Sequence, residues 1–470
     1  MYNRKYSITG LLFILAIGSY TANGQQSEHR QEQPQLWLTD PDQGILFKQQ
    51  PVATAKEQND LPEITIDPAK KYQQMDGFGF ALTGGSAMLI NKMSPDKKMV
   101  LLRELFGTGK KDIGASYLRV SIGASDLDDH VFSYDDLPAG EKDPDLKKFS
   151  LAEDKKALIP VLKKILTINP NIKILGSPWS PPAWMKTNDS TGGGRLKPEY
   201  YHAYSQFFIK YIRGMAANGI RIDAITIQNE PLNANNNPSL VMEAAEQANF
   251  IKNNLGPDFK AAKIKTKIIL YDHNADRPDY PLDILNDQKA AAYTDGSAFH
   301  LYGGKIEALS AVHNAHPDKN LYFTEEWVGA PGNLKKDMQF HVRDIIIGAT
   351  RNWCRNVIEW NLAADPHQNP HTPGGCTECL GAVTIDGDQI TRNPAYYIIA
   401  HAAKFVRPGS HRIASNYFND LPNVAFSTPK GQTVLIVYND SLAEKKFVIK
   451  LGNKSFEGSL NPGATGTYVF

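Results

Sequence analysis

The chain predicts an α/β fold, a (β/α)8 TIM barrel with an attached β-sandwich formed from both chain ends, on three observations. Between residues 76 and 404, short apolar β-type runs alternate with longer stretches whose apolar residues recur at helical spacing. After about residue 405 the texture becomes all-β, with turn residues between short runs. The stretch 61–67 (LPEITID) alternates like an edge strand and matches that later texture.

Taken in order, Asn3, Arg4 and Lys5 form a basic start, Leu11 to Ile17 a short apolar run, and Ala22-Asn23-Gly24 a small-residue site. That order is the pattern of a cleaved signal peptide over 1–24, and the run is too short to anchor in a bilayer. The mature protein is expected to be secreted or periplasmic, with no integral membrane segment after cleavage. Residues 25–60 are polar and weakly patterned and read as an N-terminal linker. Residues 61–75 supply the N-terminal strand of the sandwich.

The barrel is assigned to 76–404. Its β runs are 76–82, 115–121, 172–177, 222–229, 267–272, 296–301, 320–325 and 355–361. Between them lie helical patterns such as 153–167, with Leu158, Val161, Leu162, Ile165 and Leu166 on one stripe, and 198–217, which starts at Pro198 and stops before Asn218-Gly219. Eight runs with crossovers is the count for a closed parallel barrel. An open doubly wound sheet is the rival, but no Gly-rich phosphate loop follows the first run. The C-terminal sandwich, 405–470, carries runs at 422–428, 433–439, 446–451 and 466–470.

With 51 basic and 50 acidic side chains the net charge is +1, leaving no surplus to neutralise a phosphate backbone, so nucleic acid is excluded as a partner. Of the three cysteines, Cys354 lies in an apolar run and reads as a buried thiol, while Cys376 and Cys379 pose two alternatives. They close a small disulfide loop, as an oxidising compartment favours, or they join His367 and His371 in a zinc set. Asp126, Asp128 and Asp129 read as a solvated loop rather than a calcium site. No metal ligand set and no cofactor is assigned.

Active sites of such barrels lie where strands end at the C-terminal face. Glu230 closes the fourth run (ITIQNEP) and Glu325 the seventh (LYFTEEW). Strands four and seven can bring two carboxyls across a small cavity, the arrangement that glycoside cleavage with retention requires. One carboxylate would attack the anomeric carbon and the other would protonate the leaving oxygen.

The stretch Ile227-Gln228-Asn229-Glu230-Pro231 resembles the acid/base motif of barrel glycosidases, and Phe323-Thr324-Glu325 with Val328-Gly329 resembles the nucleophile strand of glycoside hydrolase family 30, the glucosylceramidase family. The likeness continues at 117–120 (YLRV), 177–188 (SPWSPPAWMKTN), 300–302 (HLY), 359–363 (EWNLA) and 401–411, and keeps its order. It implies Glu230 as acid/base and Glu325 as nucleophile, with the adjacent Glu326 pointing the other way. It implies Trp179 and Asn229 as partners of sugar hydroxyls and Arg119 as the group that keeps Glu325 ionised. His300, Tyr302 and Trp360 would complete the wall of the sugar site. Two departures stand out: Ala81-Leu82-Thr83 is followed by Gly84 where glucosylceramidase has an aspartate that contacts sugar hydroxyls, and Trp327 replaces a small residue beside the nucleophile. With the loops 233–238 and 366–381, these departures favour the bacterial polysaccharide-acting branch.

The resulting expectation is a retaining hydrolase of β-glucosidic linkages in an extracellular glucan, an endo-β-1,6-glucanase first. A β-glucosidase, glucosylceramidase or β-xylosidase of the same family is the alternative, and a non-catalytic carbohydrate-binding protein is the rival from another class. The partner in each case is a β-glucan or other β-glucoside.

Overall fold

The eight apolar runs close on themselves in a computed structural model that describes residues 1–3, 5–7, 33–55 and 60–470. Met1–Gln33 and Pro34–Phe470 are two units, and the second holds the whole fold. Most of the expected signal peptide lies outside the described residues. Among the described residues, no helix is long and apolar enough to cross a membrane.

The barrel strands are Gly77–Ala81, Tyr117–Ser121, Lys173–Ser177, Ala224–Thr226, Lys267–Asn274, Gly296–His300, Asn320–Glu325 and Cys354–Glu359, all parallel, with the eighth pairing back onto the first. Strand side chains alternate between faces, and here the alternation sorts them into two clusters. Ala81, Tyr117, Leu175, Ala224, Ile269, Ala298, Tyr322 and Ile358, one from each strand, pack together in the lumen. Their neighbours Phe80, Leu118, Ile174, Ile225, Leu270, Phe299, Phe323 and Val357 pack outward against the helices. The helix expected over 153–167 is two pieces, Ala152–Lys156 and Leu158–Ile168, broken at Ala157. The stretch 198–217 opens with a tight turn at Pro198–Tyr200 before the helix Tyr201–Ala217.

The second domain is a nine-stranded sheet in the order Ile45–Pro51, Gln35–Asp40, Thr465–Val469, Thr433–Tyr438, Asn423–Ser427, His411–Ser415, Glu63–Gln74, Lys445–Leu451, Lys454–Leu460. Strand Thr433–Tyr438 is buried throughout because both faces are covered. Leu435 and Val437 enter the sandwich core, whereas Val434, Ile436 and Tyr438 join the barrel's cluster.

The linker reading of 25–60 is corrected here. Gln35–Asp40 and Ile45–Pro51 form an antiparallel hairpin that pairs along Thr465–Val469. Few apolar residues suffice: Leu36 enters the sandwich core, and the Trp37 ring meets Phe47 at 4.9 Å and Phe405 at 5.6 Å. Averaged composition hides a segment whose apolar groups are sparse but well placed. Two further sandwich strands, His411–Ser415 and Lys454–Leu460, also lacked a clear apolar run.

Candidate active site

The period-2 alternation that builds the lumen also builds the site. Two residues beyond the apolar lumen layer, the inward positions are Arg119, Ser177, Thr226, His300, Thr324 and Trp360, so the barrel floor is apolar and its mouth polar. On the fifth strand the next inward residue by count is Tyr271. A register shift between Tyr271 and His273, with φ of 71° and 75° at Tyr271 and Asp272, sends Tyr271 outward onto Tyr280 and Phe299 instead. This bulge delivers Asp272 to the lumen.

Asp272 is fully buried and becomes the hub. Its Oδ2 accepts from Arg119 at 2.8 Å, Ser177 at 2.8 Å and Thr226 at 2.7 Å, and its Oδ1 accepts from Thr324 at 2.6 Å and faces His300 Nε2 at 3.2 Å. Burial alone would raise its pKa, but the Arg119 charge and the His300 hydrogen bond hold the carboxyl far below the usual range. A buried carboxylate so densely partnered fixes the orientation of both cations around it.

Arg119 spans the lumen. One guanidinium nitrogen bonds Glu325 Oε2, and the other donates to Asp272 and, at 2.7 Å, to Asn229 Oδ1. Asn229 thus turns its amide N–H groups away from Arg119. The Arg119 guanidinium lies 4.8 Å from the Trp179 ring centroid and 5.9 Å from that of Trp360, and the two indoles are 5.3 Å apart. Trp179 Nε1–H has no hydrogen-bond partner among the described residues, so it remains a donor for a ligand. Tyr302, 39% exposed at the mouth, donates to Glu325 Oε1 at 3.0 Å. Trp327 is half-buried, bridges Trp360 through its backbone and packs with Trp179 and the Cys376 and Cys379 pair at the rim.

The structure therefore brings Glu230, Glu325, Arg119, Trp179, Asn229, His300, Tyr302 and Trp360 together, with Trp327 at the edge. His300 Nδ1 lies 3.3 Å from Glu230 Oε1 and 3.9 Å from Glu325 Oε1. One ligand-type atom from each of Glu230, His300 and Glu325 lies within 4.8 Å of the other two. That closeness is also a metal-binding spacing. Burial disfavours charge on His300, but Glu325 and hydrogen bonds to Asp272 and Glu230 outweigh it and raise its pKa to about 10.

Glu230 has a left-handed backbone, φ 43°, a conformation costing about 1–3 kcal/mol for a non-glycine residue. Asn233 donates to its Oε2 at 2.7 Å. Burial would raise Glu230, but His300, His273 and Asn233 bring its carboxyl down to about 2. Glu325 is raised above the ordinary value by burial, against the pull of His300 and Arg119. Glu326 makes no contact with Arg119. Burial pushes it up to about 8, and after burial its strongest influences are His341 and Glu359.

Of the two alternatives for Cys376 and Cys379 the disulfide is the one formed, which leaves no thiolate for a zinc set with His367 and His371. Asp126 and Asp128 are buried rather than solvated, and only Asp129 is exposed. Asp272, the last residue of the fifth run, proves central to the site.

A parallel barrel that gathers two facing glutamates at its C-terminal mouth defines the carboxylate-pair class of glycoside hydrolases. The glycosyl hydrolase family 30 TIM-barrel domain matches residues 75–406, and the family's β-sandwich domain matches 409–468. The chain belongs to glycosyl hydrolase family 30 and is a glycoside hydrolase. It is 36% identical to an endo-1,6-β-D-glucanase of Neurospora crassa over 75% of each chain. It is 29% identical to the lysosomal acid glucosylceramidase of Mus musculus over 87% of this chain and 83% of that one. A solved endo-β1,6-glucanase superposes with TM-score 0.86 at 36% identity, covering 93% of this chain and 99% of the other.

Proposed function

We propose that the protein is an exported endo-β-1,6-glucanase that cleaves with retention through a glycosyl-enzyme on Glu325, with Glu230 as acid and then base. The observation that carries this reading is the carboxylate spacing. Oxygens of Glu230 and Glu325 come within 4.8 Å of each other, in keeping with the roughly 5–5.5 Å of double displacement and too close for the roughly 6.5–9.5 Å that an inverting enzyme leaves for water. The similarity to endo-1,6-β-glucanases supports the linkage, and the basic, apolar and small-residue sequence of 1–24 supports export.

Desolvation makes Glu325 more basic than an exposed carboxylate, and Arg119 and Tyr302 hold it in place for attack on the anomeric carbon. The acid's proton resides on the Glu230–His300 pair. In the free site it sits on His300, 3.3 Å from Glu230. A bound sugar strips water from Glu230 and moves the proton onto the carboxyl, so the two residues titrate as a unit. Arg119 and the wall of Trp179 and Trp360 position the ring, with Asn229 and the Trp179 N–H available to its hydroxyls.

The test is a panel of β-1,6-glucan, β-1,3-glucan, aryl β-glucosides, aryl β-xylosides and glucosylceramide, with product sizes and the anomer first released. A ladder of β-1,6-linked oligosaccharides released as the β-anomer is expected. Glucose alone, preference for glucosylceramide, or release of the α-anomer would each overturn the corresponding part of the reading.

A further inference from the structure

Between Asp365 and Glu378 the loop of the eighth strand buries a single residue, Thr372. A segment with so little burial is held by its discrete contacts, and these fall into two groups. At one end it bonds the loops of the second and fourth strands. The Thr372 N–H donates to the Asp126 carbonyl at 2.8 Å and the Cys376 N–H to Asp126 Oδ2 at 3.3 Å. The Thr372 hydroxyl donates to the Asn237 carbonyl at 2.5 Å, and the Asn237 amide donates to the Pro373 carbonyl at 3.0 Å. At the other end Cys379 and Leu380 pair antiparallel with Gly329 and Val328, and the Ala330 N–H donates to the Glu378 carbonyl at 2.8 Å.

The disulfide between Cys376 and Cys379 joins the two groups. It closes a ring too short to take much entropy from the unfolded chain, so its effect is local rather than global. What it reaches on one side is the rim of the site. A Cβ on Gly329, the partner of Cys379, would lie 3.4 Å from the Trp327 ring, and Trp327 packs against the cluster of Trp179, Trp360 and Cys379. On the other side Asn237 belongs to the loop that carries Asn233, the donor to Glu230 Oε2. The loop of Asp126 is itself wedged beside Gly84, where a Cβ would lie 1.6 Å from Asp128 Oδ1. Glu230 gives its proton to the leaving oxygen, so the face that the bridge ties together is the leaving-group side.

We propose that the Cys376–Cys379 disulfide is a positioning element for the leaving-group side of the site. It locks the loop of the eighth strand between Trp327 and the loop after Glu230, so that a departing sugar chain meets a rim already in place. Attack by Glu325 does not depend on it. The proposal rests on the glycosidase reading. Cys379 is buried and Cys376 half-buried, so an external thiol reaches the bridge through Cys376.

The experiment compares the full chain with its Cys376→Ser/Cys379→Ser form on two substrates: a β-1,6-linked gluco-oligosaccharide, which loses a sugar chain, and an aryl β-gentiobioside, which loses a phenol. The double variant should raise KM for the oligosaccharide roughly 3- to 10-fold, the scale of ordering a freed side chain and its loop on binding. Its kcat, its rates on the aryl substrate and its melting temperature should stay near those of the wild type. Dithiothreitol should raise the same KM in the wild type and leave the double variant unaffected. Its thiolate attacks Cys376 Sγ, Cys379 departs as a thiolate and takes up a proton, and the second thiol of the reagent resolves the mixed disulfide, giving two cysteine thiols and the cyclic oxidised reagent. Re-oxidation should restore the KM. Amide hydrogen exchange supplies a readout that needs no catalysis: opening the bridge should speed exchange at Thr372, Cys376 and Ala330. Unchanged KM and exchange in the double variant would overturn the proposal, as would an equal loss on both substrates with a fall in melting temperature. Faster exchange with neither substrate cleaved by the wild type would overturn the glycosidase reading instead.

Discussion

Glu325 and Glu326 are neighbours on one strand end, yet they occupy different regions of the molecule. Glu325 faces the lumen, bonded by Arg119 and Tyr302 and within 3.9 Å of His300. Glu326 is also buried, but it lies under the influence of His341 and Glu359, and its Oε2 has no partner among the described residues. Identical side chains become a candidate nucleophile and a neutral buried acid because one side of the strand supplies a cation and a hydroxyl that hydrogen-bond the carboxyl, whereas His341 on the other is hydrogen-bonded to Glu359. Burial raises both. Only at Glu325 does a dense polar network hydrogen-bond the carboxyl and offset part of what burial removes.

The sharpest way to break this contrast is Glu325→Ala, expected to lower kcat by roughly 10⁴-fold or more. Azide should rescue the variant and yield the glycosyl azide of inverted configuration. Full activity in Glu325→Ala, with loss only in Glu326→Ala, would exchange the two assignments. Next, Glu230→Ala should cost about 10²- to 10⁴-fold on glucan. The loss should shrink on aryl glycosides whose leaving groups need no proton, and equal losses on both substrates would remove Glu230 from the acid role.

A smaller effect tests the proton's location. In the wild type the Glu230–His300 pair holds its proton until the pH approaches about 10, the value His300 reaches between its carboxylates. In His300→Asn, Glu230 must hold that proton alone, and the alkaline limb of kcat/KM should move to lower pH. A limb that stays put would refute the shared proton.

The smallest effect concerns stability. Glu326 titrates near 8 in the fold, so between the ordinary glutamate value and about 8 the folded chain holds a proton that the unfolded chain has released. Stability from this group therefore falls as pH rises across that window, by about 1.4 kcal/mol per pH unit. Glu326→Gln should keep near-normal activity and show a shallower fall in urea midpoint from pH 5.5 to 7.5. Parallel curves for the two proteins would show that Glu326 ionises freely.

The site was legible in the sequence to the extent that it follows from strand ends. Glu230 and Glu325 close recognisable apolar runs and Arg119 and His300 lie within others; the period-2 rule turns Arg119 and His300 inward, whereas Glu325 reaches the lumen through a register shift between Phe323 and Glu325. The rule does not anticipate the bulge at Tyr271–Asp272, because two residues in the left-handed region leave no composition signal when neither is glycine. Nor does it place Asp126, which lies beyond a strand in a loop held by partners some 250 residues away in sequence.

Local periodicity by itself determined the eight strands, the sandwich texture after about residue 405 and the two acids at strand ends, since each is written in neighbouring residues. Tertiary structure decided what those residues meet. Barrel closure placed Asp272 under Arg119 and His300, the N-terminal hairpin found an edge to pair with, and the loop of Asp126 filled the space beside Gly84. These are contacts between distant segments, and their energies depend on burial and on the charges that closure brings together, neither of which any short stretch of chain contains.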